Sequence, residues 1–305
     1  MVSLKQKTLS TEISFQGKGL HTGLTSTMVL KPAPADSGIV FHRVDLGHDA
    51  FVKAMARNVS STERSTTISE GQVSVSTVEH LMSAFSGMGV DNALVEIDNI
   101  EVPILDGSAR YYVEAILESG LEEQSDDKRV ITIPHVIEVR DEATGAYIKA
   151  IPSDEPSIDL TVDFGSEVLG IQSARWDGNT DYASEIAPCR TFVFFHEIEF
   201  LFQHNLVKGG DVDNAIVIVE RPVTEEQVER LSSLFNMPRL AVNPNGYLNN
   251  LQLRFPDECG RHKLLDIIGD LALCGGRVKA RIEAFKPGHS LNTRMANAIV
   301  DAISR

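Results

Sequence analysis

The order of predicted secondary-structure elements repeats once along the chain, and this repetition constrains the fold more than any other feature of the sequence. After His80, a helical pattern of apolar residues leads into a strand, a turn and a second helix. The same order follows His262, and the intervals from His80 to Ser108 and from His262 to Ser290 both span 28 residues. We therefore expect a duplicated fold, with helices over residues 79–89, 109–118, 262–273 and 292–303.

Each half also opens with segments whose apolar residues alternate, as they do in half-buried strands. The predicted strands cover residues 7–15 and 26–30 in the first half, and residues 129–139 and 146–151 in the second. Between the halves, residues 120–129 are polar and lack periodicity, which predicts a linker.

These patterns predict an α+β fold of two related domains, over residues 1–124 and 125–305. Each domain contains a sheet and two helices, and the helices of the two domains could pack on each other and hold a metal at their interface. The second domain also carries an aromatic strand–helix–strand segment near residues 190–220. This segment is either ordinary core or a lipophilic wall beside the site.

The composition excludes some classes of function. Binding nucleic acid irrespective of its base sequence needs a basic surface, whereas this chain of 305 residues is strongly acidic, with a net charge of -15. No apolar run approaches the roughly 18 residues that a transmembrane helix needs, and the N-terminus lacks an apolar signal core. Three cysteines without close pairing fit a reducing compartment, and we expect a cytoplasmic protein.

Two histidines and a carboxylate are the candidate metal ligands. His262 and Asp266 lie four residues apart, so they share one face of the predicted helix, and His80 supplies a second imidazole. Such a set is typical of catalytic zinc with one coordination position open, and iron(II) could occupy the same set. Glu79, next to His80, could accept a proton from water. The spacing from His262 to Asp266 is common in proteins, so these residues could also be ordinary surface or core residues.

Other residues near the predicted ligands have side chains that could take part in a reaction, but each could also have an ordinary structural role. His289 is predicted to lie in a Pro-Gly loop, where a protonated imidazole held by Asp270 could stabilise an oxyanion. Lys263 could reach substrate or face solvent, and the hydroxyl of Thr191 could contact substrate or merely belong to a strand. His21 lies between glycines that let a backbone approach a ligand closely, and we place it near the site.

Eight segments follow one another along the chain: Gly-Leu-His-Thr-Gly (19–23), Ser-Thr-Val-Glu-His (76–80), Asp-Asn (91–92), Pro-Ile-Leu-Asp-Gly-Ser-Ala (103–109), Cys-Arg-Thr-Phe (189–192), Asn-Ala-Ile-Val (214–217), Arg-His-Lys-Leu-Leu-Asp-Ile-Ile-Gly-Asp (261–270) and Gly-His-Ser-Leu-Asn (288–292). In this order they resemble the UDP-3-O-acyl-N-acetylglucosamine deacetylases, the zinc amidases of lipid A biosynthesis in Gram-negative bacteria. The resemblance runs from about residue 5 to residue 303.

The resemblance implies two related α+β domains, each with its own small insert, arranged as a β-α-α-β sandwich. It implies zinc bound by His80, His262 and Asp266. Glu79 is then the general base, and His289 with Asp270 has the electrostatic and acid role. Lys263 and Thr191 correspond to positions that contact the substrate, and Phe192 with the insert corresponds to the passage for a fatty acyl chain.

The implied reaction is hydrolysis of the N-acetyl group of UDP-3-O-(3-hydroxyacyl)-N-acetylglucosamine. Hydroxamates, which chelate metals, are then expected inhibitors. Some relatives carry a fused hydroxyacyl dehydratase domain, so a C-terminal partner could accompany this module. Two alternatives remain: a zinc amidohydrolase with another acyl-amide substrate, and a non-catalytic binding module stabilised by a metal.

Overall fold

The computed structural model of the chain describes residues 4–198, 209, 214–234 and 240–304. The strands of the first half are β1 (Lys5–Leu9), β2 (Ile13–Lys18), β3 (Thr25–Pro32), β4 (Ile39–Arg43), β5 (Phe51–Lys53), β6 (Val59–Ser61), β7 (Thr67–Glu70), β8 (Val73–Val75) and β9 (Ala93–Ile97). Those that follow are β10 (Leu121–Asp127), β11 (Val130–Thr132), β12 (Ile137–Arg140), β13 (Tyr147–Pro152), β14 (Ser157–Asp163), β15 (Ile171–Trp176), β16 (Phe192–Phe194), β17 (Ile216–Ile218) and β18 (Arg277–Phe285).

The α-helices are α1 (Glu79–Met88), α2 (Arg110–Ser119), α3 (Tyr182–Glu185), α4 (Glu225–Leu234), α5 (Glu258–Ala272) and α6 (His289–Ile303), and short 3-10 helices cover Val44–Leu46 and Ala56–Asn58. None of the helices in the described ranges combines the length and the apolar character that crossing a membrane requires.

Two sheets with the same topology confirm the predicted duplication. In the first, the strand order is β2-β3-β9-β4-β5, and only the β9–β4 pair is parallel. In the second, the order β12-β13-β18-β14-β15 repeats those directions, with β18–β14 as the parallel pair, and β11 pairs with β18 in addition. The fold is therefore α+β with two related domains.

Each sheet carries a small insert at the same point of its topology. In the first half, the hairpins of β6, β7 and β8 form a three-stranded sheet between β5 and α1. In the second half, β16 and β17 pair in parallel between β15 and α5. Residues 195–198, which follow β16, are helical, as the predicted strand–helix–strand order requires; residues 199–202 and most of the connection to β17 lie outside the described residues. The boundary between the domains at residues 124 and 125 stays a prediction.

The helices lie between the two sheets and form a shared core. Helix α1 packs on α5, while α5 packs on β14 and β15 and α6 packs on β12 and β13. Gly269 makes the crossing possible, because a Cβ atom built there would lie 2.0 Å from the carbonyl oxygen of Glu79. Every residue from 79 to 85 is buried, as expected for a helix covered on all sides.

Four local predictions were wrong. The supposed linker contains β10, which pairs antiparallel with β1; most of its side chains are exposed, so no apolar periodicity marks it. The strand predicted over residues 7–15 divides into β1 and β2. The strand predicted over residues 129–139 divides into β11 and β12, which pair with different strands. His289 is the first residue of helix α6, not a loop residue, because Pro-Gly precedes the helix and Gly288 is its N-cap.

Candidate active site

Three buried side chains from the two facing helices converge on one point. The Nε2 atom of His80, on α1, lies 3.7 Å from Oδ1 of Asp266, and Nε2 of His262 lies 3.4 Å from the same oxygen. One ligand atom from each of the three residues falls within 4.8 Å of the others. The residues predicted as ligands are therefore brought together from opposite halves of the chain.

The hydrogen bonds around this group fit a divalent cation. Nδ1 of His262 donates to the carbonyl oxygen of Cys189 at 3.1 Å, which leaves Nε2 with a free lone pair toward the site. Oδ1 of Asp266 is buried and accepts no hydrogen bond from any residue that the structure describes. Its other oxygen pairs with Nζ of Lys263 at 2.9 Å. A buried carboxylate oxygen without a donor is stable only if a cation or water satisfies it.

The protonation states also suit a metal. Burial lowers the pKa of His262 to about 3, so its imidazole is neutral. Burial by itself raises the pKa of Asp266, but charged groups beside it, Lys263 and His289 among them, hold that pKa well below its usual range. Metal ligands must be deprotonated, and both groups are in that state at neutral pH.

Glu79 stands beside the ligands as the first residue of α1, with only 3% of its surface exposed. One carboxylate oxygen accepts the backbone N–H of Thr66 at 3.0 Å, and the other lies 3.8 Å from Nε2 of His289. Burial raises the pKa of Glu79 above its usual value, although the nearby histidines oppose this effect. A carboxylate with a raised pKa is better suited to accept a proton near neutral pH.

His289 faces Glu79 and is fixed by Asp270. Its Nδ1 lies 2.9 Å from Oδ2 of Asp270, which also accepts from the side-chain amide of Asn292 at 2.8 Å. Burial lowers the pKa of His289, but the carboxylates of Asp270 and Glu79 outweigh burial and raise it to about 9. His289 therefore carries a positive charge at neutral pH, although it begins a helix, where the helix dipole disfavours cations.

Thr66 belongs to this network and was not identified from the sequence. Its hydroxyl donates to Oδ1 of Asp270 at 2.6 Å, and its backbone N–H binds Glu79, so one fully buried residue contacts both carboxylates. Thr66 directly precedes β7 in the small insert of the first half. The sequence offers only a polar run over residues 61–67 as a signal, and such a run normally indicates an exposed loop.

An aromatic cluster lies against the second ligand histidine. The ring of Phe192 is 6.4 Å from that of His262 and 5.4 Å from that of Phe164, and Phe194 lies near both phenylalanines. Nζ of Lys263 lies 5.5 Å from the centre of the Phe192 ring. The predicted substrate-contacting residues Phe192 and Lys263 are thus beside the ligands.

Thr191 precedes this cluster in the chain. Its backbone N–H donates to the carbonyl oxygen of Gly107, and its own carbonyl oxygen accepts from Ile216, so the strand that begins after it is anchored to both halves. The neighbouring Arg190 forms a buried ion pair with Glu258 at 2.8 Å, which ties this segment to the start of α5. The role of the Thr191 hydroxyl stays a prediction.

His21 lies in a loop whose backbone is held by Glu101. The backbone N–H groups of His21 and Thr22 donate to the carboxylate of Glu101 at 2.9 and 2.8 Å, and the Thr77 hydroxyl donates to it at 2.9 Å. Because Thr77 lies two residues before Glu79, the loop and the start of α1 share one buried carboxylate. Glu101 was not identified from the sequence, and substrate binding by His21 stays a prediction.

Comparisons with known proteins agree with this arrangement. The model of the family described as LpxC, UDP-3-O-acyl N-acetylglycosamine deacetylase, matches residues 6–236 and 232–301. A bifunctional enzyme LpxC/FabZ of Bacteroides thetaiotaomicron is 45% identical over 293 residues, which cover 96% of this chain and 64% of that protein. The bifunctional enzyme LpxC/FabZ of Porphyromonas gingivalis is 45% identical over 295 residues, again 64% of its length.

The chain thus spans slightly less than two thirds of these bifunctional relatives. A UDP-3-O-acyl-N-acetylglucosamine deacetylase of Pseudomonas entomophila is 40% identical over 300 residues, which cover 97% of this chain and 90% of that protein. With a family model that matches nearly the whole sequence, and with both halves of the fold in place, the chain belongs to the UDP-3-O-acyl-N-acetylglycosamine deacetylase family.

Proposed function

We propose that this protein removes the N-acetyl group from UDP-3-O-(3-hydroxyacyl)-N-acetylglucosamine, in the cytoplasm of a Gram-negative bacterium and as a step of lipid A biosynthesis. The observation that carries the proposal is the convergence of His80, His262 and Asp266 beside Glu79 and a charged His289. The names of the relatives support the class of substrate, since one of them is a UDP-3-O-acyl-N-acetylglucosamine deacetylase.

The donor set of two imidazoles and one carboxylate fits zinc, with iron(II) as the other candidate. Zinc held by His80, His262 and Asp266 supplies Lewis acidity, which lowers the pKa of water to about 7 and polarises an amide carbonyl. The hydrogen bond from His262 to the Cys189 carbonyl orients that imidazole for binding.

Residues of the chain carry out the proton transfers of the reaction. Glu79 accepts a proton from the attacking water as the water oxygen bonds to the acetyl carbon. Charged His289 stabilises the negative oxygen that develops on that carbon, and the Thr191 hydroxyl supports the same oxygen. As the C–N bond breaks, either His289 or protonated Glu79 gives a proton to the leaving amine. The products are acetate and the free amine of the UDP-sugar.

The aromatic cluster supports the assignment of the acyl chain. Phe164, Phe192 and Phe194 present apolar rings next to His262, where a fatty chain could lie while the acetamide reaches the metal. Lys263 and His21 are then candidates for polar contacts with the sugar and the diphosphate. We also expect an aromatic hydroxamate to inhibit the enzyme, because this group chelates a metal with an open position. Fusion to a dehydratase stays a prediction.

Acetate release tests the proposal when two substrates and one variant are compared. The acylated UDP-sugar should be hydrolysed far faster than UDP-N-acetylglucosamine, which lacks the acyl chain. Glu79→Gln should lose about 10²- to 10⁴-fold in turnover while its zinc content stays at the wild-type level, since it lacks only the proton acceptor.

Each alternative predicts a different result. If the protein were an amidohydrolase for another acyl-amide, the two UDP-sugars would be hydrolysed equally slowly. If it were a binding module stabilised by a metal, Glu79→Gln would behave like the wild type in every assay.

A further inference from the structure

A second cleft lies between the two halves, at the end of the helices away from the metal ligands. Its volume is about 670 Å³, within the range of about 300–1,000 Å³ that is typical of small-molecule sites. The C-terminal ends of α1 and α5 form part of its wall, together with the starts of β4, β14 and β18. None of the residues in the candidate active site lines it.

The lining of this cleft is partly apolar. Phe85, Met55, Met88 and Ile158 contribute to it, and so does Trp176, the single tryptophan of the chain. Trp176 is only partly buried, at the end of β15, so its indole is available to a ligand. Apolar and aromatic walls of this kind bind the body of a small organic molecule.

Four cations also line the cleft, in a chain that carries 43 acidic and only 28 basic residues. The charge of Lys128 already has partners within the protein, because its Nζ binds Asp91 at 2.8 Å and the carbonyl oxygen of Gly89 at the end of α1. The side chains of Lys53, Arg129 and Arg277 form no ion pair with any carboxylate in the described ranges.

Interaction with the C-terminal end of α1 explains the position of Lys128 but not the positions of the other three cations. The backbones of Arg129 and Arg277 are adjacent, since the backbone N–H of Arg277 donates to the carbonyl oxygen of Arg129 at 2.9 Å, and both exposed side chains line the cleft. A basic side chain that lines a cleft without a carboxylate partner is available to an anion. The other carboxylate in the lining, Asp36, accepts a hydrogen bond from the side-chain amide of Gln6 at 2.7 Å and forms no ion pair with these cations among the described residues.

We propose that this cleft binds a small amphipathic anion: an organic phosphate, sulfonate or carboxylate with an apolar body. The acidic group would pair with Arg129 and Arg277, whose guanidinium groups favour oxyanions in a forked geometry, with Lys53 nearby. The apolar body would lie against Trp176 and Met88, which are both partly exposed. Binding at this cleft does not depend on the reaction proposed for the metal site.

The test uses the full chain with 5-fluorotryptophan at its single tryptophan, so that one fluorine NMR signal reports the cleft. The probes are 8-anilinonaphthalene-1-sulfonate, its neutral analogue N-phenyl-1-naphthylamine, and inorganic sulfate. The sulfonate should shift the fluorine signal in a saturable way. The neutral analogue lacks the anionic group and sulfate lacks the apolar body, so each should bind at least about tenfold more weakly.

Variants test which cations of the cleft bind the anionic group. Arg129→Gln/Arg277→Gln should weaken binding of the sulfonate at least about tenfold, because charge-assisted hydrogen bonds to the anion are lost. The matched control Arg140→Gln/Arg294→Gln removes the same charge from exposed residues outside the lining and should leave binding unchanged. Circular dichroism checks that both variants fold, and Lys53→Gln provides a single-charge variant.

The proposal is overturned if the fluorine signal stays fixed while the sulfonate binds elsewhere. It is also overturned if the neutral analogue binds as well as the sulfonate, or if both double variants bind it alike.

Discussion

The charge on His289 is a residue-scale feature with a measurable consequence. Burial opposes this charge, yet the carboxylates of Asp270 and Glu79 raise the pKa of His289 to about 9. Because the role proposed for His289 requires its protonated form, kcat/KM should fall as pH rises through about 9. In Asp270→Asn the largest supporting charge is gone and burial remains, so this decline should move to lower pH. A pH–rate profile, with NMR titration of the imidazole, measures the shift; an unmoved decline would contradict the assigned pair.

Thr66 supports a second prediction for a single residue. Thr66→Val keeps the shape and the backbone N–H but leaves Oδ1 of the fully buried Asp270 without the hydroxyl. Hydrogen bonds to charged groups contribute about 1.5–3 kcal/mol, so kcat should fall about tenfold or more. Thr66→Ser retains the donor and should restore most of the activity. Equal rates for the two variants would show that the hydroxyl does not act on the carboxylate.

At the scale of elements, the crossing of α1 and α5 brings two helix backbones into close contact at Gly269. Gly269→Ala places a Cβ atom against the carbonyl oxygen of Glu79 and should force the helices apart. We expect the free energy of unfolding to fall by about 1–3 kcal/mol, the usual effect of overpacking, together with weaker zinc binding. Gly178→Ala is the matched control, because a Cβ atom there meets nothing within 4 Å. Urea titration of both variants measures the free energy of unfolding. Wild-type stability in Gly269→Ala would mean that the crossing is looser than described.

The elements also show what the sequence could predict. Helices with a continuous apolar pattern, such as α1, and the buried strand β9 follow directly from periodicity. The exposed strand β10 does not, because its stability comes from pairing with β1 more than 100 residues away, which no local pattern records. Thr66 and Glu101 were missed for the same reason: their partners lie in distant elements. The helical spacing of His262 and Asp266 predicts a shared helix face, but this spacing is common in proteins, so the set with His80 was assigned through the resemblance to the deacetylases.

At the scale of the whole molecule, the two halves share one hydrophobic core. Leu81 and Phe85 of the first half belong to the same buried cluster as Leu264 and Ile267 of the second. We therefore expect the halves to unfold together in urea. Fluorescence of Trp176, which lies in the second half, should follow the same transition as far-UV circular dichroism, which reports both halves. Two separate transitions would mean that the halves are independently stable.

The central claim is that side chains from both halves bind one metal ion, and zinc affinity tests it most directly. The wild-type chain should bind one zinc per molecule. His80→Ala and His262→Ala, each in a different half, should both lose at least about a hundredfold in affinity, since even residues that only orient metal ligands contribute up to that much. His48→Ala, at an exposed histidine without an assigned role, should bind zinc like the wild type. Wild-type affinity in either ligand variant would contradict the account.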